Sequence, residues 1–491
     1  MIKKNCCNII KITVFLLLMF CMLSGILKVF NYKDMGGGGG WQRFYQAENG
    51  SIDVMFFGNS HAHCTIDHGL LWDEYGIAGY TLSAGSQTID SACYFVKEAL
   101  QTQQPKVIAV EVMGALGGEL ANSNSDVYRN SLGMRWSPVF GEYIDYLADN
   151  MDMDRGEKQR VFMKIPVVHS RYAELTRSDF EDSIPFMRGY RGSYERETLE
   201  RPEAAQETES MQLDPQRLAM LKEIIDTAEK NNIPVVLFAS PFKISEENQM
   251  QFNAVEAFAQ EQGIPFINYN KLYDELSLNF ETDFRDGAHV NNYGAIKVTA
   301  HMAQYLKEHY EIPDRRGQEG YELWEDNALY LRNKTLRYNL ETAEDINAYL
   351  QILAELEEEQ TVIIALTGNY NALGEVYLEE LMQLGITAEE YAGGGAFIFK
   401  GGEKVLYLAG KEYDYCLNIN SGEIHVESVL YEVGEEVRDE VHILLGGNDY
   451  AMVENGVNVL VYNESLNQLI DAAGDDVYLG LELIHCDKEE E

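Results

Sequence analysis

Residues 52–62, IDVMFFGNSHA, are an apolar run of strand length that stops at Gly58 and turns polar at Asn59-Ser60-His61. Ile52–Phe57 reads as a strand with both faces covered, which is how strands of a parallel sheet between helical layers look in sequence. In such a sheet the loop leaving a strand's carboxyl end opens on the ligand crevice. Ser60 is therefore expected to face that crevice, with its N–H near the start of the next helix.

The pattern repeats downstream. Val107–Met113, Pro234–Ala239 and Pro265–Asn268 read as further strands, and Ser91–Leu100, Arg217–Lys230, Asn253–Gln262 and Ala295–Glu308 as helices. Apolar strands alternating with helices predict a three-layer, doubly wound parallel α/β domain over residues 51–312. Residues 114–205 interrupt the alternation. This excursion, rich in Tyr, Arg, Met and acids, is expected either to shape the crevice or to embellish the domain with helices.

Upstream, Lys3, Lys4 and Lys11 precede an uncharged run from Ile12 to Leu27. A cleaved signal peptide and an uncleaved anchor both fit, and the anchor is preferred because no small-residue cleavage site follows. Residues 1–31 are then a cytoplasmic stub and transmembrane helix. The lysines before the span keep the N-terminus inside, so the domains are expected outside the cell, on a single-pass anchor. Residues 32–50 contain the run Gly36–Gly40, expected to be a flexible tether because polyglycine does not sustain a helix.

After Pro313 the composition shifts. A helix from Thr342, a strand at 361–366, a helix around Glu375–Leu384 and a series of short strands to the end predict a second, α+β domain over 313–491. Acids outnumber bases by 80 to 38, a net charge of −42, which excludes nucleic acid as a partner. The seven cysteines show no Cys-x-x-Cys spacing, which excludes zinc ribbons and thioredoxin chemistry. Whether Cys416 and Cys486 pair in an oxidising exterior is left open by the sequence.

The residues able to carry chemistry form two groups. A serine on the loop after a strand suits a nucleophile that also supplies an oxyanion donor, although a helix-capping serine occupies the same position. Asp286 and His289 lie three residues apart in DFRDGAHVNNYG, before the last helix of the domain. That spacing can set a carboxylate against the imidazole Nδ1 and leave Nε2 free to take a serine proton, although a surface turn rich in Asp, Gly and Asn reads the same way. A rival reading is metal hydrolysis, because His61, His63, Cys64, Asp67 and His68 crowd into eight positions. It is set aside for want of further ligands at later strand ends, and no metal or other cofactor is expected.

The serine after the first strand and the Asp-x-x-His before the last helix resemble the SGNH/GDSL hydrolase superfamily over about residues 51–310, whose sheet is flavodoxin-like. The runs DVMFFGNSHA, GYTLSAGSQTIDSACYFVKEAL and DFRDGAHVNNYGAIKVT resemble its membrane-anchored branch, which includes proteins of polysaccharide O-acetylation and of D-alanyl transfer. The resemblance implies Ser60, Asp286 and His289 as the catalytic set, with Ser60 and Gly85 as oxyanion donors. It also implies Asn59, His61, Gln87 and Arg171 as candidates for substrate contact. Asn59 replaces the family's usual acid, and its Gly-x-Asn-Asp block has no equivalent between Gly85 and Asp286. The literal Gly446-Gly447-Asn448-Asp449 follows the histidine and is expected to be a turn.

The expected activity is that of a serine esterase or O-acyltransferase on acyl esters, acetyl above all, of cell-surface glycan. Acylated cell-envelope polysaccharide, the membrane and a membrane-bound acyl-donor protein are the partners this implies. The alternative is a catalytically inactive glycan-binding surface protein. Residues 342–473 loosely resemble the interleukin-like EMT inducer domain, which implies a binding role for the second domain.

Overall fold

The computed structural model describes residues 2–32, 36–116, 130–180, 188–356, 360–434, 436–480 and 483–486. Arg129 of the excursion and the acidic tail 487–491 lie outside the described residues. The chain divides into two compact units, Met1–Leu329 and Tyr330–Glu491.

The first unit is a parallel five-stranded sheet: β1 (Val54–Gly58), β2 (Gly79–Ser83), β3 (Val107–Glu111), β4 (Val235–Ala239) and β5 (Phe266–Asn268). The order β2-β1-β3-β4-β5 is the flavodoxin-like one, in which the chain reverses direction across the sheet between β1 and β3. Period-two alternation sorts the side chains into two cores. Met55, Phe57, Ile108, Val110 and Leu237 face the helices Ile89–Ala99 and Pro215–Lys230. Val54, Phe56, Ala109, Val236 and Phe238 face Val298, Met302 and Leu306 of the helix Asn292–His309. The result is a three-layer α/β domain.

The strand Gly79–Ser83 has no apolar run to announce it. Tyr80 and Leu82 enter the core, whereas Thr81 bonds the ring of His68, its Oγ1 2.8 Å from Nε2. Residues 313–329, which composition assigns to the second domain, pack with the first. Arg315 holds Asp53 with two hydrogen bonds of 2.8 and 2.9 Å, and Trp324 Nε1 donates to the Gly79 carbonyl at 3.1 Å.

The N-terminal helix α1 (Ile2–Phe30) contains the 21-residue stretch Ile10–Phe30, long and apolar enough to cross a membrane. The pentaglycine is not an extended tether: Gly36–Phe44 forms helix α2. Tertiary contacts override the low helix propensity of glycine here. Trp41 and Phe44 are fully buried, and the Tyr80 hydroxyl donates to the Gly40 carbonyl at 2.7 Å.

The excursion does two things. Its helix Pro138–Asn150 packs on the helix Ile89–Ala99, with Tyr143 and Ser91 hydroxyls 2.8 Å apart. Its returning strand of chain then runs beside the crevice: Arg191 N donates to the His63 carbonyl at 2.7 Å, Asn292 N to Ser193 at 2.9 Å and Glu197 N to Phe284 at 3.0 Å.

The second unit contains an antiparallel six-stranded sheet and a four-stranded one. In the larger sheet, Val362, Ile364, Phe397, Val459 and Val461 face the helices Ile346–Leu353, Leu378–Gln383 and Ala388–Gly393. Ile363, Ala365, Ile398 and Leu460 on its other face pack against Leu417, Ile424, Val426 and Ile443 of the smaller sheet. This is the expected α+β domain, with one strand that polarity concealed. Gln468–Asp476 is a buried strand whose acids are satisfied by the hydroxyls of Tyr349 on Asp471, at 2.9 Å, and Tyr377 on Asp475. Gly446 and Gly447, with φ of 60° and 88°, make the expected tight turn between two strands. Cys416 and Cys486 are both free thiols.

Candidate active site

The crevice lies where β1, β2 and β3 end. Gly58 is the pivot: its φ is +149°, and a Cβ there would come within 2.7 Å of Glu111 Cβ at the end of β3. Only glycine lets β1 turn so close to its neighbour. The chain then enters helix α3 (Ser60–Thr65), capped by Asn59, whose side chain accepts from His61 N at 3.0 Å. Ser60 is thus the first residue of a helix, and its N–H has no acceptor within that helix.

Asp286 and His289 come from a small hairpin, Phe284–Asp286 paired with His289–Val290. The N–H groups of Ala288 and His289 both donate to Asp286 Oδ1, at 2.8 and 2.9 Å, which fixes the carboxylate inside the turn. His289 Nδ1 lies 2.9 Å from Asp286 Oδ1, and Nε2 lies 2.8 Å from Ser60 Oγ. The carboxylate is the strongest acceptor near Nδ1, so the ring proton points to Asp286 and the Nε2 lone pair faces the serine hydroxyl. Serine, histidine and aspartate, 229 residues apart at the extremes of the domain, meet in one line of hydrogen bonds.

Arg285 was not singled out by its sequence context, yet it borders this line. Its Nε donates to Asp286 Oδ2 at 2.9 Å, and its Nη2 sits 2.9 Å from His289 Nδ1. Burial alone would raise the Asp286 carboxyl, but the Ala288 N–H, the Arg285 guanidinium and His289 outweigh it and bring it down to about 2. His289 is lowered below the ordinary histidine value, first by burial and then by the Arg285 charge, with Asp286 opposing both. The imidazole is therefore neutral near pH 7, the form that accepts a proton. Arg285→Gln removes a positive charge beside the ring and frees Asp286 to act on it more strongly. Both changes favour the imidazolium, so the His289 pKa rises in the variant; an NMR titration of the imidazole reads it directly, and an unmoved titration would contradict this electrostatic account.

The remaining residues expected at the site divide. Gly85 lies in the turn leaving β2, the strand beside β1, where Gly58 and Ser83 are register partners. Gln87, on the same loop, is 2% exposed, and both its amide nitrogen and oxygen lack a partner among the described residues. An unpaired buried amide costs about 1–3 kcal/mol. His61 is buried with its ring 5.2 Å from that of His289 and edge-on to Phe242. Burial, then His289, push it down to about 3, against the pull of Asp286, so it packs as a neutral ring. Asn59 is committed to its cap.

Arg171 is elsewhere. It donates to the carbonyls of Phe30 and Asn31, at 2.8 and 3.0 Å, and to Asp179 at 2.8 Å, tying the end of α1 to the excursion. His63 and His68 are buried. His63 Nδ1 lies 2.9 Å from Ser83 Oγ and His68 Nε2 bonds Thr81, so the crowded histidines point to separate partners.

Two further groups support the site: Glu111, legible in the sequence as an acid near the end of an apolar strand that either lines the crevice or is a satisfied structural carboxylate, and Ser240, which the sequence motifs do not mark. Glu111 is buried and pushed up to about 8 by that burial, despite accepting from Met113 N at 3.1 Å and Ser240 N at 3.4 Å. Ser240, leaving β4, donates from its hydroxyl to the His61 carbonyl at 3.1 Å and braces the serine helix from below. An acid within an apolar strand and a serine after one were the visible signals.

No family model matches the chain, and no curated protein matches it. Among solved structures, a GDSL-like lipase from Bacteroides thetaiotaomicron is similar at 15% identity, covering 57% of this chain and 98% of its own, with a TM-score of 0.28. A Bacteroides fragilis protein assigned as an acylhydrolase is similar at 14% identity, covering 57% and 97%, with a TM-score of 0.27.

Proposed function

We propose that the chain is an SGNH-type serine esterase or O-acyltransferase, anchored by its N-terminal helix with both domains outside the cell, acting on acyl esters of cell-surface glycan. The observation that carries the reading is the hydrogen-bonded line from Ser60 Oγ through His289 to Asp286, with separations of 2.8 and 2.9 Å.

In this reading His289 Nε2 takes the Ser60 proton as Oγ forms a bond to the ester carbonyl carbon. The Ser60 and Gly85 N–H groups receive the carbonyl oxygen as it becomes an oxyanion. The tetrahedral intermediate then expels the sugar alkoxide, which takes the proton back from His289, leaving an acyl-Ser60 ester. Water or a second sugar hydroxyl, deprotonated by His289, attacks that ester and releases Ser60. Asp286 holds the ring orientation and stabilises the imidazolium in both halves. An acylated polysaccharide would supply the substrate, and a membrane-bound acyl-donor protein would supply acyl groups if transfer is the physiological direction.

A second reading, a silent glycan-binding protein, is favoured by one observation: no Gly-x-Asn-Asp block lies between Gly85 and Asp286. Turnover of p-nitrophenyl acetate and acetate release from acetylated glycan separate the two. The proposed enzyme hydrolyses the ester with an acidic limb below the ordinary histidine pKa, since protonating His289 removes the base. A folded chain that turns over neither ester, yet retains acetylated glycan, supports the binding protein instead.

A further inference from the structure

The smaller sheet of the second unit carries a group of side chains that the esterase reading does not use. The strands Tyr413–Ile419 and Gly422–Val433 pair antiparallel, with Cys416 opposite His425 and Asp414 opposite Glu427. Leu417, Ile419, Ile424 and Val426 point into the core, so the alternate positions 414, 416, 425 and 427 share the outward face.

On that face the ligand atoms of Asp414, Cys416 and His425 all lie within 4.8 Å of one another. They are the one His/Cys/Asp/Glu group among the described residues whose donors converge this closely. His425 Nε2 sits 2.9 Å from Asp414 Oδ1, and the Glu427 carboxylate stands 3.9 Å from the same nitrogen.

We propose that Asp414, Cys416 and His425 form a binding site for a divalent transition-metal ion of the zinc class. Three arguments support it. Residues i and i+2 of one strand and the residue opposite on its neighbour place three donors on a triangle held by the sheet, so little ordering remains to be done when an ion binds. The donor set is one thiolate, one imidazole and one carboxylate, which suits borderline ions such as zinc and does not suit calcium or magnesium. Bonds of about 2.0–2.3 Å at the tetrahedral angle need donor separations of roughly 3.3–3.8 Å, within small side-chain rotations of those present.

The exposure of the thiol adds to these. Cysteine is among the most buried residue types, and a free one facing solvent amid carboxylates is unusual. With three protein donors, the fourth position falls to Glu427, to water or to a donor atom on an incoming molecule.

The test uses the full chain in detergent after treatment with a chelator, titrated with Co2+ and then with Zn2+. The site predicts one Co2+ per chain with a near-ultraviolet thiolate-to-metal band, displaced by Zn2+. It predicts loss of that band in Cys416→Ser and affinity at least about tenfold weaker in His425→Ala. Zn2+ should also protect Cys416 from iodoacetamide. No band at equimolar metal, or a band that survives Cys416→Ser, overturns the proposal. Because both variants lie on an exposed sheet face, circular dichroism of each is expected to match the parent, and the outcome is independent of ester turnover.

Discussion

Ser60→Ala is expected to reduce ester turnover by about 10⁴- to 10⁶-fold, with the thermal transition of the chain unchanged. The hydroxyl is the only atom lost. The Asn59 cap that holds the helix start stays in place, since it bonds the N–H of His61 rather than the serine side chain. His289→Ala should fall into the same range. The double variant should lose no more than either single one, because proton acceptor and nucleophile work as a unit. Steady-state rates on p-nitrophenyl acetate for the three variants measure this. Losses that multiply instead would mean that Ser60 and His289 contribute separately, and that the 2.8 Å bond between them is not a catalytic one.

Gly58→Ala is expected to cost roughly 3 kcal/mol or more of unfolding free energy. The added methyl meets Glu111 Cβ at 2.7 Å, the Ala62 Cβ at 3.1 Å and the Glu111 carbonyl at 3.2 Å, at a φ of +149° that L-residues rarely adopt. None of these neighbours is the end of a flexible chain. Relief requires β1 and β3 to separate where the sheet reverses direction, which displaces Ser60 and the buried Glu111 together. Urea unfolding monitored by tryptophan fluorescence gives the stability change, and any protein that folds should also lose turnover. A variant as stable and active as the parent would show that this close approach does not position the serine.

Much of this architecture was legible because burial wrote it into the strands. Ile52–Phe57, Val107–Met113 and Pro234–Ala239 are apolar on both faces, and both faces are indeed covered by helices. Gly79–Ser83 was not legible, because its polar Thr81 is satisfied by a histidine from the next layer. Gln468–Asp476 hid in the same way, its Asp471 and Asp475 taken up by tyrosine hydroxyls distant in sequence. The helix at Gly36–Phe44 depends on anchoring by Trp41, Phe44 and Tyr80, which local propensity does not report.

The convergence of Ser60, His289 and Asp286 was readable only in part: the Asp-x-x-His spacing can set a carboxylate against the ring, and a serine after a buried strand can face the crevice, but neither motif alone joins them. Arg285 was visible only as one more charge in an acidic chain, since its effect depends on where its guanidinium lands. Arg171 illustrates the reverse: a basic residue in a long excursion looks suited to substrate and instead closes on two backbone carbonyls at the end of the N-terminal helix.

The central claim is that His289 activates Ser60. Mass spectrometry of the full chain in detergent after treatment with a fluorophosphonate tests it most directly, with Ser60→Ala and His289→Ala in parallel. The account predicts a single adduct on Ser60, absent in both variants. A folded chain that takes up no adduct, or one that is labelled on Ser60 equally well without His289, would contradict it.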